Sequence, residues 1–491
     1  MKNLITSISL LFVVVFANTG CDKWLEVEPE QGLLISEYWK SKEDVEATLM
    51  AAYKNFAQLD EVLFLYGELR ADMISAGSGI QLPEDRIIRG TITTDNELSR
   101  WDGFYKVIHL CNVILEYSEQ VKEIDPNFTI VMLRTYQAEA LFIRSLAYFY
   151  LVRIFKDVPL ILNSSETDNV NFFIPKSESD EILDRIINDL ELAGTYISKS
   201  LDHGSVAANK GRATWGAVNA LLADIYLWNF EYENCIETIQ GIEDLNIYGL
   251  MSSGDWFSIF NPGNSLESIF EFQFDQTTNL PNNTWRLTYN TNRYNVSSHA
   301  LELLHPLNSG EITRGNGSIS VNHQFHSNKN AEFIWKYCGS NPDGRSIRPA
   351  SENRSANFII YRLADILLMK AEAHAQLGQD DEAFNIINQI RMRAGVPLYT
   401  DKPISLEDAI LNERARELAY EGKRWFDLLR MGRRNNYARR DVLIEIMISR
   451  VPATQKRILA TRLADPMGWY LPIHIDELER NNALLQNPYY Q

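Results

Sequence analysis

The sequence predicts a mainly α fold: tetratricopeptide-like helical hairpins interrupted by one loop-rich, partly β insertion. Three observations carry that expectation. From Ser41 onward, apolar residues recur at i, i+4 and i+7 over long stretches, the spacing of one buried helix face. Two segments read as helix–turn–helix pairs of the tetratricopeptide kind, a motif of about 34 residues. Residues from about 249 to 355 lose the helical period and become rich in Asn, Ser, Gly and Pro.

The elements follow in chain order. Met1 to Gly20 reads as an export signal, with Lys2 as the positive start and Leu10 to Phe16 as the apolar centre. Its uncharged stretch, Leu4 to Ala17, is shorter than the ~20 residues of a spanning helix. Asn18-Thr19-Gly20-Cys21 resembles a bacterial lipobox, with Asn18 where the usual pattern has an aliphatic residue. That resemblance implies acylation of Cys21 and a membrane tether; several acyl chains anchor stably where one does not.

Val45, Leu49, Ala52, Tyr53 and Phe56 mark the first helix, and Trp101, Tyr105, Ile108, Cys111 and Leu115 the next long one. Between them Ala71 to Asn96 is loop-rich, the kind of segment that sits at the surface and carries function. Val131 to Phe155 mixes small Ala and Ser with large aromatics, which lets neighbouring helices approach closely. Asp157-Val158-Pro159 ends it, because Pro159 cannot continue a helix. Ser179 to Ile197 is amphipathic. Ala213 to Trp228, with its continuation to Ile239, forms one hairpin. Inside the insertion, Ser268 to Phe274 alternates like a strand. Helical pattern is expected to resume at Phe358, turn at Gly378 and run again from Asp381 to Arg393. A last long helix is expected from Leu406 to about Arg430, ending near Gly432.

Composition narrows the function. Apolar residues make up 45% of the 491 and charged residues 23%, which excludes a disordered chain and a multi-span membrane protein. Lys and Arg number 47 against 65 Asp and Glu, a net −18 that repels phosphate backbones, so no nucleic acid is expected as a partner. Cys111, Cys235 and Cys338, odd in number once Cys21 is set aside, do not make a disulfide framework. Without CxxC, HExxH or ligand spacing among the 8 His, no metal and no cofactor is expected.

Five segments in order resemble the SusD/RagB family of Bacteroidetes outer-membrane lipoproteins. They are Cys21 to Pro29; Ala138 to Arg144 running on to Leu151–Leu160; Tyr361 to Ala373; Glu413 to Arg430; and Tyr470-Leu471-Pro472-Ile473-His474 with Gln486-Asn487-Pro488. The resemblance implies a signal peptide over 1–20, a SusD-like N-terminal region over 21–205 and a SusD/RagB C-terminal region over 206–491, the two regions forming one body. It implies a lipid-anchored protein on the outer face of the outer membrane that captures a glycan, or in some members a peptide. Such a protein hands its ligand to a SusC-like TonB-dependent transporter and is not an enzyme. A scaffold lid without ligand affinity of its own is the other reading.

Glycan sites pair aromatic platforms with polar side chains for the hydroxyls. Both loop-rich regions offer that mixture. Arg86 and Asp275 are the candidate polar contacts, and Trp285, Tyr289 and Tyr294 the candidate aromatic ones, with Trp285 and Tyr294 as platforms. Trp101 and Trp256 read as core. The row Glu413, Glu417 and Glu421 is expected to form a structural ion-pair network with the interleaved Arg414, Arg416, Lys423 and Arg424. Arg430, Arg433, Arg434, Arg439 and Arg440 are expected at a solvated helix end.

Overall fold

The computed structural model describes residues 38–491, apart from 165–171, 289–292, 306–308, 321–332, 335, 338–353 and 404. The signal over 1–20, Cys21, Tyr289 and Cys338 lie outside the described residues. Two compact units divide the chain, Met1–Lys40 and Ser41–Gln491. In the first, Tyr38 meets Trp39 edge-on.

Helix α1 (Lys42–Ala57) starts at a capping box in which Ser41 and Asp44 satisfy each other's backbone. After it come α2 (Asp60–Glu68), strand β1 (Ile74–Ala76), α3 (Leu82–Ile88), α4 (Asp102–Ile124) and α5 (Ile130–Phe155). Thr129 caps α5 by accepting the Met132 N–H at 3.2 Å. Nearly all of α5 from Tyr136 to Phe155 is buried, so it is the pillar of the fold; a helix apolar on every side has to be enclosed. Helices α1, α4 and α6 (Ser179–Tyr196) pack round it. Ala138, Ala140 and Ala147 are fully buried at these close approaches.

The stack continues through α7 (Val206–Gly211), α8 (Trp215–Trp228) and α9 (Tyr232–Glu243). Thr214 caps α8, and α8 pairs with both α6 and α9. Next comes the insertion, with β2 (Ser268–Phe272), one helical turn at Trp285–Thr288, β3 (Tyr294–Val296), α10 (Ser298–Leu304), α11 (Ile312–Ser318), β4 (Ile319–Ser320) and β5 (Phe333–Ile334). Strand β6 (Phe358–Arg362) leads into α12 (Leu363–Gln376) and α13 (Asp380–Ala394), which turn at Gly378 and end at Gly395, both with positive φ. Then follow α14 (Leu406–Glu417), α15 (Arg424–Tyr437), α16 (Arg440–Ser449) and α17 (Ala453–Leu463). Because α9 packs on α12 and α12 on α13 and α14, the two hairpins stack into one helical array. The mainly α fold with a loop-rich, partly β insertion is therefore present.

Three expectations need correction. Phe358 to Arg362 is a strand, not the opening of a helix: it pairs antiparallel with β2, and both strands are buried throughout. A run buried on both faces carries no period to separate strand from helix. The long helix from Leu406 breaks at Leu418–Lys423, where Tyr420 and Gly422 take φ of 62° and 71°; its second part leaves the helical conformation at Arg434, so it ends near Gly432 as expected. Lastly, Arg430 and Arg434 are not solvated. Both are buried, Arg430 holding Glu372 and Asp427 at 2.7 and 2.9 Å and Arg434 holding Glu407.

Candidate ligand-binding surface

The two loop-rich stretches, some 200 residues apart, form one assembly. Strand β1 pairs antiparallel with β3, setting Ile74 opposite Val296, Ser75 opposite Asn295 and Ala76 opposite Tyr294. The ladder is extended at both ends: the Gly77 N–H donates to the Arg293 carbonyl at 2.9 Å, and the Ser297 N–H to the Met73 carbonyl at 3.1 Å. A short ladder needs support beneath it. Asp60, buried at the start of α2, supplies it by accepting the N–H groups of Asn283 and Thr284, each at 2.7 Å, and the Thr284 hydroxyl at 2.9 Å. Burial pushes the Asp60 carboxyl up, and these hydrogen bonds only partly offset that.

Arg293 fastens α3 to the assembly. Its guanidinium pairs with Glu84, which is buried, and lies 3.8 Å from Glu61 on α2. Burial raises the Glu61 carboxyl, partly countered by Arg293. On the same short helix Arg86 hydrogen-bonds Thr93 at 2.8 Å and meets Asp95 at 3.3 Å. Arg86 is about one-third exposed, and Asn295 is exposed while donating to the Ala76 carbonyl at 3.3 Å. Donors and acceptors at this rim suit a hydroxyl-rich ligand.

The structure thus brings Arg86, Trp285 and Tyr294 into one assembly, but it corrects the expected role of the two rings. Trp285 is 9% exposed and Tyr294 6%. A stacking platform must show one face to solvent, and neither does. The Arg354 guanidinium lies 5.5 Å from the Trp285 ring centre, and Arg293 lies 5.8 Å from that of Tyr294. Burial also pushes the Tyr294 phenol up, so it stays neutral. Asp275 belongs elsewhere. It caps the turn at Gln276–Thr278 through the Thr277 N–H at 2.8 Å and lines a groove of about 490 Å³ with Tyr53, Arg212, Phe272 and Phe274. Sequence reasoning passed over Glu84 and Asp60, whose roles appear only once the insertion lies against α2 and α3.

Trp101 and Trp256 are core, 3% and 0% exposed, Trp256 against Phe257 and Phe260. Glu413, Glu417 and Glu421 are buried in an ion-pair network, yet their main partners are Arg314, Lys336, Arg362, Arg391 and Arg393 from other elements. Of the interleaved residues, Arg416 meets Glu413 at 3.4 Å, while Arg414 and Lys423 turn to Asp365 and Arg424 to Asp72. Cys111 and Cys235 are buried free thiols, and burial pushes Cys111 up to about 12. Among the described residues no group of three or more His, Cys, Asp or Glu is placed to hold a metal ion, and no helix is long and apolar enough to cross a membrane.

Two family models match the chain: one described as the SusD family over residues 266–490, the other as starch-binding associating with outer membrane over residues 23–227. A SusD-like protein P38 of Formosa agariphila is 27% identical over 482 residues, covering 86% of this chain and 91% of the relative. Among solved structures, a SusD superfamily protein of Bacteroides vulgatus superposes with a TM-score of 0.76 at 23% identity, covering 92% of this chain and all of that one. A structure titled as a laminarin binding SusD-like protein gives 0.70 at 22% identity, with 91% and 99% coverage.

Proposed function

The chain belongs to the SusD/RagB family, and from that premise we propose that it is a cell-surface glycan-binding protein whose ligand surface is the β1–β3 assembly. The observation that carries the reading is the pairing of Ile74–Ala76 with Tyr294–Val296, which turns two polar, loop-rich stretches into one surface. The description of the N-terminal family model as starch-binding supports a glycan as ligand. In this reading Arg86 and Asn295 contact hydroxyls, Trp285 and Tyr294 support the surface from beneath, and Tyr289 lies in the segment joining them. Asp275 serves the neighbouring groove. The protein binds and does not cleave, and it works without a metal or cofactor.

The same premise supports tethering to the outer membrane through Cys21, with 1–20 removed, and delivery of the ligand to a SusC-like TonB-dependent transporter. Affinity electrophoresis and calorimetry against starch, laminarin and other polysaccharides test the binding, with oligopeptides alongside. Binding to a glycan that falls at least fivefold in Arg86→Ala is the expected result. Binding to oligopeptides and to no glycan overturns it in favour of peptide uptake; no ligand of either kind leaves a scaffold lid. Cys21→Ala is expected to release the protein from membranes, and persistent association would refute the anchor.

A further inference from the structure

A cleft of about 390 Å³ opens on the helical side of the molecule, and none of its lining residues comes from 71–96 or 249–355. Its walls are the end of α5 with Lys156 and Asp157, the start of α6 with Glu178 and Asp180, and Arg433, Tyr437 and Tyr470. Two cations and three carboxylates therefore line one small space. Among the described residues, none of the five joins an ion pair within 4.0 Å. Lys156 Nζ donates to Met467 Sδ at 3.7 Å. The Arg433 guanidinium is held by aromatic rings, 4.3 Å from the centre of Trp228 and 5.4 Å from that of Phe230, with one hydrogen bond to the Trp228 carbonyl at 3.3 Å. Asp157 accepts the Ser179 N–H at 3.1 Å and Asp180 the Ser179 hydroxyl at 3.3 Å. Burial pushes the Tyr470 phenol up to about 12, keeping it a neutral hydrogen-bonding group.

The backbone of the cleft is strained on two sides. Lys156 has φ 71° and ψ −81° at the centre of a γ-turn closed by the Asp157 N–H and the Phe155 carbonyl at 3.1 Å. At the end of α15, Asn435, Asn436 and Tyr437 take φ of 50°, 53° and 64° in succession. Asn435 and Asn436 are of the type that tolerates the left-handed region, but Lys156 and Tyr437, both in the lining, adopt it at a steric cost, and such outliers gather at ligand clamps.

The chemistry of the lining selects a ligand. An anion would meet three carboxylates and a cation two positive groups, while an apolar molecule would strip water from all five. A sugar hydroxyl both donates and accepts, so a diol can span a cation N–H and a carboxylate oxygen that do not reach each other. The volume lies at the low end of the ~300–1,000 Å³ of small-molecule sites, which suits one or two rings. We propose that this cleft is a second carbohydrate subsite, taking the end of a neutral oligosaccharide between Lys156, Arg433 and the Asp157–Asp180 carboxylates. It rests on the glycan-binding reading but uses a different part of the chain.

Hydrogen–deuterium exchange of the full chain with maltotriose and with laminaritriose separates the two sites. The expected result is protection of 150–158 and 430–438 by one of these sugars, lost in Lys156→Gly and weakened at least fivefold in Arg433→Gln. Glycine accepts φ 71° without strain, so Lys156→Gly should melt no lower than the parent and its loss of binding is not unfolding. Protection confined to 72–96 and 281–297, unchanged in both variants, overturns the subsite and leaves the β1–β3 surface standing. Protection confined to the cleft does the reverse. Protection by neither sugar overturns the subsite, while the β1–β3 surface stands or falls on the wider polysaccharide panel.

Discussion

Arg362 Nη1 lies 2.6 Å from Glu417 Oε1, and both side chains are fully buried, one at the end of β6 and the other at the end of α14. Glu417 also takes Arg393 at 2.5 Å and Arg314 at 3.1 Å, while Arg362 holds Glu267 at 2.6 Å and Glu421 at 2.8 Å. Burial alone would push the Glu417 carboxyl up; Arg393, Arg362 and Arg314 together hold it well below the ordinary carboxylate range. The network therefore joins the insertion to the helical array through charge that only its partners stabilise.

Removing one member leaves the others buried and uncompensated. Arg362→Met should destabilise the fold by about 3–5 kcal/mol, the cost of breaking a buried pair. Urea denaturation at pH 7 measures it. A loss below 1 kcal/mol would show that the network is dispensable.

The acidic row was legible because Glu413, Glu417 and Glu421 stand at i, i+4 and i+8, and its structural character was legible from the surrounding arginines. Its partners were not, since Arg314, Arg362 and Arg393 reach it from 24 to 103 residues away in the chain. The same limit hid β6 and the β1–β3 ladder. Helices announce themselves through local period, so α5, α6, α8 and α13 were readable within a few residues; strand pairing between distant loops leaves no local trace. The burial of Trp285 and Tyr294 was hidden for that reason too. An aromatic in a polar loop looks exposed until the partner loop is in place.

Gly67 on α2 touches the backbone of Gly422 in the break between α14 and α15. A Cβ on Gly67 would stand 1.9 Å from the Gly422 carbonyl oxygen and 2.5 Å from its Cα. Gly422 cannot yield easily, with its own φ at 71° and Leu63 and Phe64 behind it. Gly67→Ala should therefore cost about 3 kcal/mol, the upper end of overpacking, read as a lowered melting temperature by circular dichroism. An unchanged melt would mean that the two helices can part freely.

Glu68, next in the chain, accepts the Gly422 N–H at 3.0 Å, and burial pushes its carboxyl up to about 8 from 4.5. A raised folded-state value means the fold holds this proton more tightly than the unfolded chain. Its contribution to stability is complete below pH 4.5 and is lost as pH rises through about 8, with a slope of up to about 1.4 kcal/mol per pH unit. Glu68→Gln, which stays neutral, should lack that loss, so its urea midpoint relative to the parent should climb between pH 5 and pH 8. A constant difference across that window would contradict the buried acid.

Glu372 gives the opposite limb. Burial favours its neutral form, but Arg430 at 2.9 and 2.7 Å, with Arg434, overrules this and holds it at about 2 against 4.5. Stability from this group is present above pH 4.5 and is lost as pH falls toward 2. Glu372→Gln should be less stable than the parent at pH 6 and nearly equal to it at pH 2, by thermal melts in matched salt.

Arg293 decides whether the β1–β3 assembly acts as one surface. Its fork spans Glu84 on α3 and approaches Glu61 on α2, and its carbonyl takes the Gly77 N–H, so three segments meet at one residue. Arg293→Ala keeps the backbone bond but leaves the Glu84 carboxylate buried without its cation, at a cost of about 2 kcal/mol. Arg293→Lys restores the charge without the planar fork, and should recover part of the stability but not the position of α3. If the surface binds glycan as a unit, affinity should fall in both variants and further in Ala, while a variant at exposed Asp441, far along the chain on α16, leaves it unchanged. Because Arg86 rides on α3 with Glu84, the two variants should also flatten the effect of Arg86→Ala. A full Arg86→Ala penalty in the Arg293→Ala background would show that Arg86 acts independently of the ladder.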